Sequence, residues 1–485
     1  MGTLIIVIGY FLITMGIGFY MLKRQSSTAE FFVAKRGLTW VLIIPLLFAE
    51  MIAGAGTVGS ASDAFRYGIS SGWVNWGMCL GTLLVIIFCG KFYRVSGAKF
   101  GVMSCPGAYG ERFDRKTRIT LMVILVLVYG MMYAMQPNAA AAILTPMVGA
   151  DRVLIAWLMA AFFIVLTITG GMKGLAWMNV IHSMVMYIGL AVVCYLSVKT
   201  VGGLGNIADV IHSTEATTNF LRIDQPSFNS ALATAVGTGV SFFAAATIVS
   251  VILGSVNMHH VNKGCIIAAV AVMVFAFFPA LIGVSGKVAV MTGLLPANTA
   301  GAGILYTMAN YNGVLAGGLA SMGVLAAILS TAPALLLVVT TMISRDFYRI
   351  IKKDVSDKEE LNFSRICVVV LGVVATFLGL KATSILGQLM GAFQIRAIAG
   401  FALVVGLLWG RVTSTAAFWS MMVGGIVAAV WHFSGGWFGM APLWPSLIVG
   451  VPILFILTLV AKDPVDAKWT RYREALAEAE ADGTL

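Results

Sequence analysis

Long apolar runs separated by short polar loops repeat along the whole chain. Each run holds roughly 20 residues, the length that an α-helix needs to cross the hydrocarbon core of a bilayer. The pattern predicts an all-α, polytopic membrane protein with about 13 transmembrane helices. The predicted spans are residues 4–21, 39–66, 71–93, 119–146, 152–171, 179–201, 230–255, 264–287, 313–344, 364–381, 384–409, 415–433 and 441–461.

The polar segments between these spans are short. We expect residues 4–21 to be a spanning helix and not a cleaved signal peptide, because neither an A-x-A-like site nor a soluble domain follows them. The longest gaps, 202–229 and 288–312, are rich in Gly, Asn, Ser and Thr, and we expect short interfacial helices there. The charged tail from residue 462 is expected to form a short solvated helix.

Composition and charge agree with a membrane protein. Only 11% of the residues are charged, whereas a soluble domain carries about 25%. Successive loops lie on opposite sides of the membrane. The loops of one side, with the tail and the adjoining span ends, hold 24 of the 31 lysines and arginines, and the loops of the other side hold six. This positive-inside bias places the N-terminus outside and the C-terminus in the cytoplasm of a plasma membrane, such as a bacterial inner membrane. It also explains the net charge of +11 without a nucleic-acid partner.

The sequence offers little for catalysis. The six cysteines are scattered without a CxxC pair, so we expect neither a disulfide nor a metal cluster. No nucleophile–base pair, phosphate loop or metal triad has workable spacing. We therefore expect no enzyme activity and no organic cofactor.

Two predicted spans are longer than a tilted helix requires. The second has about 28 residues and the ninth about 32, which suggests that each breaks or tilts strongly inside the membrane. The second contains "FAEMIAGAG", residues 48–56. Its glycines fit either a close contact between helices or a break that lines a substrate and ion site.

The ninth span contains a small group of oxygen atoms. Ala327, Ser330 and Thr331 stand at i, i+3 and i+4 and share one helix face. Pro333 cannot donate to the carbonyl of Leu329, which frees a further oxygen. A hard monovalent cation prefers such ligands, but Ser and Thr also commonly bond back to their own helix.

Five segments carry a resemblance to the sodium/solute symporter family, whose members transport proline, pantothenate, monocarboxylates and sugars. The segments occur in the family's order and span most of the chain. They are "EFFVAKRGLTWVLIIPLLFAEMIAGAGTVGSASDAFRYG", "SCPGAYGERFDRKTR", "TGGMKGLAWMNVIHSMVMYIGL", "AAILSTAPALLLVVTTMISRDFY" and "GLLWGRVTSTAAFWSMMVGG".

The resemblance implies a LeuT-like fold with a five-plus-five inverted repeat. The implied division is 1–38 for a peripheral helix and cytoplasmic loop, 39–201 for the first repeat, 202–229 for an extracellular loop, 230–409 for the second repeat, 410–461 for two peripheral helices and 462–485 for a cytoplasmic tail. The only metal implied is one sodium ion. Its implied ligands are the carbonyls of Ala49, Ile52 and Ala327 and the hydroxyls of Ser330 and Thr331.

The chain also departs from the family pattern. Asn179 and His182 replace the usual Asp and Gln, and the loss of the Asp argues against a second sodium ion. "NMHHVNK", residues 257–263, replaces another family motif, and we interpret His259 and His260 as solvated residues of a cytoplasmic loop.

Substrate specificity is expected from side chains that face a cavity at the middle of the membrane. The candidates by position are Glu50, Met51, Tyr133, Gln136, Phe242, Phe243, Thr247, Gln388, Gln394 and Arg396. Aromatic residues in this set are more often plain core than substrate contacts.

Glu50 and Arg396 are buried charges, which cost at least about 2.5–3.5 kcal/mol each at the bilayer centre and therefore call for a partner or a task. They can pair with each other; one of them can bind the substrate, Arg396 a carboxylate or Glu50 an amine; or Glu50 can carry a proton. The sequence thus predicts a sodium-coupled symporter whose partners are a small polar solute, sodium and the lipid bilayer. A proton-coupled transporter of the same fold is the nearest alternative, followed by a transporter-like sensor and, more remotely, a channel.

Overall fold

The computed structural model describes residues 2–22, 36–225, 227–301, 303–352, 354–381, 385–461, 465–483 and 485. Within these residues the chain is helical, apart from loops and one isolated β-bridge. The first half contains α1 Gly2–Leu22, α2 Trp40–Met51, α3 Ser60–Tyr67, α4 Trp73–Phe88, α5 Gly90–Phe100, α6 Cys105–Arg112, α7 Arg115–Val148, α8 Arg152–Thr200 and α9 Gly203–His212.

The second half continues in the same way. It contains α10 Phe228–Ser241, α11 Ala246–Gly254, α12 Met258–Phe275, α13 Phe277–Met291, α14 Ile304–Tyr311, α15 Val314–Met342, α16 Arg349–Ile351, α17 Asp357–Gly379, α18 Ile385–Leu408, α19 Ser414–Phe433, α20 Leu443–Val460 and α21 Ala467–Ala481. Short π-helical turns cover Ala55–Gly59 and Ile343–Tyr348, and short 3₁₀ turns cover Ile69–Gly72 and Phe242–Ala244.

Ten helical segments among the described residues are long and apolar enough to cross a membrane, and two bent pairs raise the number to twelve. The long helix α8 contains two of these segments, because it kinks at Gly171, whose φ of 53° is left-handed. At the first predicted span only the shorter apolar stretch Ile8–Ile17 qualifies. The fold class is confirmed, whereas the count of thirteen stays a prediction.

The breaks differ in part from those expected. The second span is broken, with a bend of 58° between Trp40–Met51 and Ala55–Tyr67. The ninth span was expected to break or to tilt strongly; the strong tilt stays a prediction, and the break is wrong, because α15 is continuous through Pro333. It is surrounded by other helices, and its extra length continues into the turn Ile343–Tyr348, which ion pairs from Arg118 to Asp346 and from Arg345 to Glu360 hold. The seventh span, not expected to break, bends by 42° between Phe228–Ala244 and Ala246–Gly254.

Helix α15 lies at the centre of the bundle and packs against α8, α7 and α2. Small residues permit the close approach to α8. A Cβ atom added at Gly189 would lie 2.9 Å from the carbonyl oxygen of Leu319, and one added at Gly323 would lie 2.5 Å from Leu190 Cδ1. Packing of this kind drives association between helices in lipid, and it fixes α15 beside the break in the second span.

The isolated β-bridge pairs Leu38 with Ser255 and joins the two bent spans through their backbones. The Leu38 N–H donates to the carbonyl of Gly254 (2.9 Å), and the Val256 N–H donates to the carbonyl of Leu38 (3.1 Å). Leu38 precedes α2, and Gly254 ends α11. The bridge therefore ties together the ends of α2 and α11 that the charge bias assigns to the cytoplasm.

The short helices that we expected in the two long loops and in the tail are present as α9, α14 and α21. The tail helix is not simply solvated: Tyr472 and Leu476 are buried, and Lys91 pairs with Glu480 (2.7 Å). Loop residues 23–35 and tail residues 462–464 lie outside the described residues.

Arg112 connects the tail to the bundle. It is fully buried and donates to the carbonyls of Gly406 (2.9 Å) and Val412 (3.1 Å), with Asp466 at 3.4 Å. Burial lowers the pKa of Arg112 to about 10, and the charge of Asp466 opposes this shift. The arginine keeps its proton at neutral pH and holds the loop after α18 against the tail.

His259 and His260 lie in the first turn of α12 and not in a loop. Asn257 caps this turn by accepting from the His260 N–H (3.0 Å), and Nδ1 of His260 accepts from the backbone N–H of Trp40 (3.4 Å). Among the described residues no group of three or more His, Cys, Asp or Glu side chains is placed to hold a metal ion.

Candidate functional site

The break in the second span exposes backbone in the middle of the bundle. Helix α2 ends at Ile52, whose φ of −110° and ψ of 75° are not helical. On the far side of the break, the Asn75 side-chain amide donates to the carbonyl of Gly56 (3.1 Å), and the Thr57 hydroxyl donates to that of Gly54 (3.2 Å). These polar contacts satisfy carbonyls that lipid cannot satisfy.

Four of the five predicted sodium ligands meet at this break. The Thr331 hydroxyl donates to the carbonyls of Ala49 (2.8 Å) and Ala327 (2.8 Å). The Ser330 hydroxyl lies 2.8 Å from the Ala327 carbonyl and 3.4 Å from the Ala49 carbonyl. All four residues are buried, so α2 and α15 meet through a compact cluster of neutral oxygens.

The fifth predicted ligand, Ile52, lies at the last turn of α2. Its N–H still donates to the carbonyl of Phe48 (3.1 Å), while its own carbonyl belongs to the residue at which the helix breaks. The predicted donor set is three carbonyls and two hydroxyls, of which the structure brings the two carbonyls of Ala49 and Ala327 together with both hydroxyls. These hard, uncharged oxygens fit an alkali cation and not a soft metal.

Arg396 is the second polar centre. Its guanidinium, 1% exposed, donates through Nη1 to the Tyr129 hydroxyl (2.9 Å) and through Nη2 to the Ser241 hydroxyl (3.1 Å). The rings of Phe393 and Phe242 lie 5.3 and 5.8 Å from the guanidinium carbon. Nε has no hydrogen-bond partner. Arg396 thus carries a charge that neutral groups surround.

Glu50 is the third polar centre, and it does not pair with Arg396. The two charges interact electrostatically, but no ion pair within 4.0 Å joins them in the part of the chain that the structure describes. Glu50 instead lines a cavity of about 30 Å³ together with Asn179, Thr247, Ser250 and Ser330. The first of the three predicted arrangements, a direct Glu50–Arg396 pair, is absent from this conformation.

Two further substrate candidates contact this region. Thr247 lies between the two charges: its hydroxyl is 3.1 Å from that of Tyr129, which binds Arg396, and its side chain lines the Glu50 cavity. Gln136 donates to its own helix at Met132 (3.1 Å), while its Oε1 has no partner and faces Gly54 in the break. Both side chains are buried within the bundle.

The remaining candidates are not brought to the same place. Met51 is buried and its sulfur accepts from the Thr82 hydroxyl (3.6 Å). Tyr133 points away towards α17, with its hydroxyl near Gly372, and Phe243 packs its ring on Phe88 on the outer side of the bundle. Gln388 lies in α18 at a position whose side chain is outside the described residues.

Two substrate candidates remain, Phe242 and Gln394. The ring of Phe242 lies near the Arg396 guanidinium, as described above, and Gln394 lines a separate cavity of about 700 Å³. That cavity lies between the start of α10 and the residues that follow α19. By the charge bias this is the extracellular end of the bundle, and the structure places Gln394 in a cavity apart from the one that Glu50 lines.

Sequence reasoning missed Asn75, Tyr129 and Ser241. Each is a polar side chain inside a predicted span, which is a usable signal because such groups need a partner in lipid. Their partners lie 19, 267 and 155 residues away, at Gly56, Arg396 and Arg396. Pattern alone could not connect them.

Comparison with known proteins gives a consistent result. The family model described as the sodium:solute symporter family matches residues 31–424. The chain is 24% identical over 481 residues to the sodium/proline symporter of Escherichia coli (strain K12), covering 95% of this chain and 93% of that one. It is 23% identical over 485 residues to a high-affinity proline transporter of Bacillus subtilis (strain 168), covering 95% and 99%.

Among solved structures the chain resembles the substrate-bound outward-open state of a Na⁺-coupled sialic acid symporter. The TM-score is 0.81 at 18% identity, over 96% of this chain and 98% of the other. This similarity concerns the fold, which is LeuT-like. Because the family model covers most of the chain, the protein belongs to the sodium:solute symporter family of membrane transporters.

Proposed function

We propose that the protein is a secondary active transporter that carries a small polar organic solute, such as a carboxylate or an amino acid, into the cell together with sodium. The observation that carries the proposal is the cluster of neutral oxygens where α15 meets the broken end of α2. Sodium would bind there to the carbonyls of Ala49, Ile52 and Ala327 and to the hydroxyls of Ser330 and Thr331. The cation would stabilise a closed contact between the two helices.

The coupling follows from the position of the cluster. The Ser330 hydroxyl donates to the carbonyl of Ala327 and the Thr331 hydroxyl to that of Ala49. A bound cation takes the oxygen lone pairs, so these hydrogens must turn away and the broken end of α2 must adjust. Any solute that contacts the same break then binds better with sodium, and sodium binds better with the solute, since such coupling is reciprocal.

Alternating access would involve two sets of five spans, which we propose to be inverted repeats at 39–201 and 230–409. Each proposed repeat begins with one of the two bent spans. Broken helices at corresponding positions of two repeats are typical of transporters that bind their solute at the middle of the membrane. We place residues 1–38, 202–229, 410–461 and 462–485 at the periphery of this machinery.

The test is transport in proteoliposomes with an inward sodium gradient, using ²²Na⁺ and radiolabelled L-proline as probes. Sodium binding is measured separately, without solute, from the rise in the unfolding temperature in NaCl over KCl. A hydrogen-bond partner of a charged group is worth about 1.5–3 kcal/mol. We therefore expect Ser330→Ala and Thr331→Ala each to raise the half-saturating sodium concentration at least about tenfold.

Thr341→Ala is the matched control. Thr341 is buried in the same helix, but its hydroxyl donates only to the carbonyl of Leu337 within α15 (2.8 Å). Its sodium dependence should equal that of the wild type. Equal sodium dependence in the Ser330 and Thr331 variants, or uptake that follows a proton gradient and ignores sodium, would contradict the proposed function.

A further inference from the structure

Two opposite charges lie in the same part of the bundle, and neither has an ionic partner among the described residues: Arg396 is buried and Glu50 is half-buried. Arg396 contacts hydroxyls and aromatic rings, and Glu50 has neither a hydrogen bond nor an ion pair among the residues that the structure describes. The two charges interact electrostatically across Thr247 and Tyr129 without meeting. Unpaired buried charges are costly, so a ligand that supplies both missing partners fits this arrangement.

The Arg396 side of the arrangement fits a carboxylate. The guanidinium is pre-positioned by the hydroxyls of Tyr129 and Ser241, and its Nε–H has no acceptor. A planar guanidinium binds a carboxylate through parallel hydrogen bonds that are stronger than neutral ones. The rings of Phe242 and Phe393, 5.8 and 5.3 Å from the guanidinium carbon, place apolar surface beside this contact.

The Glu50 side fits an ammonium group. Its cavity of about 30 Å³ has room for one water-sized group and not for a whole organic solute. Asn179 lines the same cavity, is 1% exposed, and neither atom of its side-chain amide has a hydrogen-bond partner. An ammonium donates three hydrogen bonds, and the Glu50 carboxylate and Asn179 Oδ1 can accept two of them.

We propose that the solute is a zwitterion of the amino-acid type, with its carboxylate on Arg396 and its ammonium on Glu50 and Asn179. This inference rests on the proposed function and names the chemical class of the solute. It gives each of the two charges the partner that it lacks in the bundle, so the solute completes both ion pairs when it binds. Because Ser330 lines the same cavity as Glu50 and Asn179, the bound ammonium lies beside the proposed sodium ligands.

The test uses the purified full chain in nanodiscs. The twenty protein amino acids are screened for a rise in unfolding temperature in NaCl. The strongest stabiliser is then compared with its amide, which lacks the carboxylate charge, and with its deaminated acid, which lacks the amine. Loss of one partner of a buried charge pair typically costs 2 kcal/mol or more, so each analogue should bind at least about 30-fold more weakly.

Variants locate each contact. Glu50→Gln and Arg396→Gln should each weaken the zwitterion at least about 30-fold. Glu50→Gln should leave the affinity for the deaminated acid unchanged, and Arg396→Gln should leave that for the amide unchanged. Asn179→Leu, which fills the cavity, should behave like Glu50→Gln. Asp63→Asn, which removes a carboxylate from α3, is the control and should bind like the wild type.

The proposal is overturned if no amino acid stabilises the protein, or if either analogue binds as well as the parent. It is also overturned if the double variant Glu50→Gln/Arg396→Gln recovers what each single variant loses, since the two residues would then partner each other. Stabilisation by sodium in the absence of solute separates the outcomes. If sodium alone stabilises the protein but no amino acid does, the zwitterion proposal fails and the proposed function is unaffected. If sodium does not stabilise the protein, the proposed function fails as well.

Discussion

Gly56 gives a quantitative test of how the second span is broken. A Cβ atom at this position would lie 2.6 Å from Asn75 Oδ1 and 3.4 Å from the carbonyl oxygen of Met51. The Asn75 side chain would have to turn away, and its hydrogen bond to the Gly56 carbonyl (3.1 Å) would be lost. We therefore expect Gly56→Ala to lose this hydrogen bond in addition to crowding the backbone at the break.

The magnitude follows from that single bond. A buried acceptor left without its donor costs about 1–3 kcal/mol, so Gly56→Ala should lower the free energy of unfolding by this amount. Asn75→Ala removes the same bond from the other side and should cost about as much. The double variant should then be little worse than either single one. The matched control is Gly130→Ala, because a Cβ there meets no atom within 4 Å and Ala favours a helix by about 1 kcal/mol over Gly.

The assay is equilibrium unfolding of the purified protein in mixed micelles, for the wild type, the two single variants, the double variant and the control. If the two single effects add within about 0.5 kcal/mol, the residues act independently. The Asn75–Gly56 bond would then not be what holds the break open, and the reasoning would be refuted.

Two other predictions concern the cytoplasmic face and the orientation of the chain. Arg112→Lys should lower the free energy of unfolding by about 1–3 kcal/mol, because a lysine cannot reach both Gly406 and Val412 and one buried carbonyl loses its donor. Arg152 is exposed, so Arg152→Lys is the control and should leave the free energy of unfolding unchanged in the same assay. A membrane-impermeant maleimide applied to right-side-out vesicles should label a cysteine placed at exposed Asn229 and not one placed at exposed Glu474, and the opposite result would reverse the topology predicted by the charge bias.

The sequence was sufficient for the fold class and for the oxygen cluster, because both depend on local patterns. Apolar run length predicts spans, and the i, i+3, i+4 spacing of Ala327, Ser330 and Thr331 fixes a shared helix face. The break after Ile52 was predictable because glycines weaken the helix there. The association of these two regions came from family resemblance and not from the pattern.

The break in the seventh span could not be predicted in this way. No Gly or Pro occupies Phe242–Ala244, so the local sequence gives no signal. The turn depends on a tertiary contact, since the Tyr93 hydroxyl, 150 residues away, donates to the carbonyl of Phe243 (2.6 Å). The break that excess length suggested in the ninth span does not occur, and α15 runs on through Pro333 as one helix that is buried among its neighbours.

The bridge between Leu38 and Ser255 has a consequence for how such a protein can change during evolution. Because it is made of main-chain hydrogen bonds, the bridge itself requires only a backbone N–H at positions 38 and 256, which every amino acid except proline supplies. Side chains elsewhere on α2 and α11 can therefore vary while the bridge still ties the ends of these two half-helices together. In the transport cycle that we propose, residues that select the solute could then change without loosening this link.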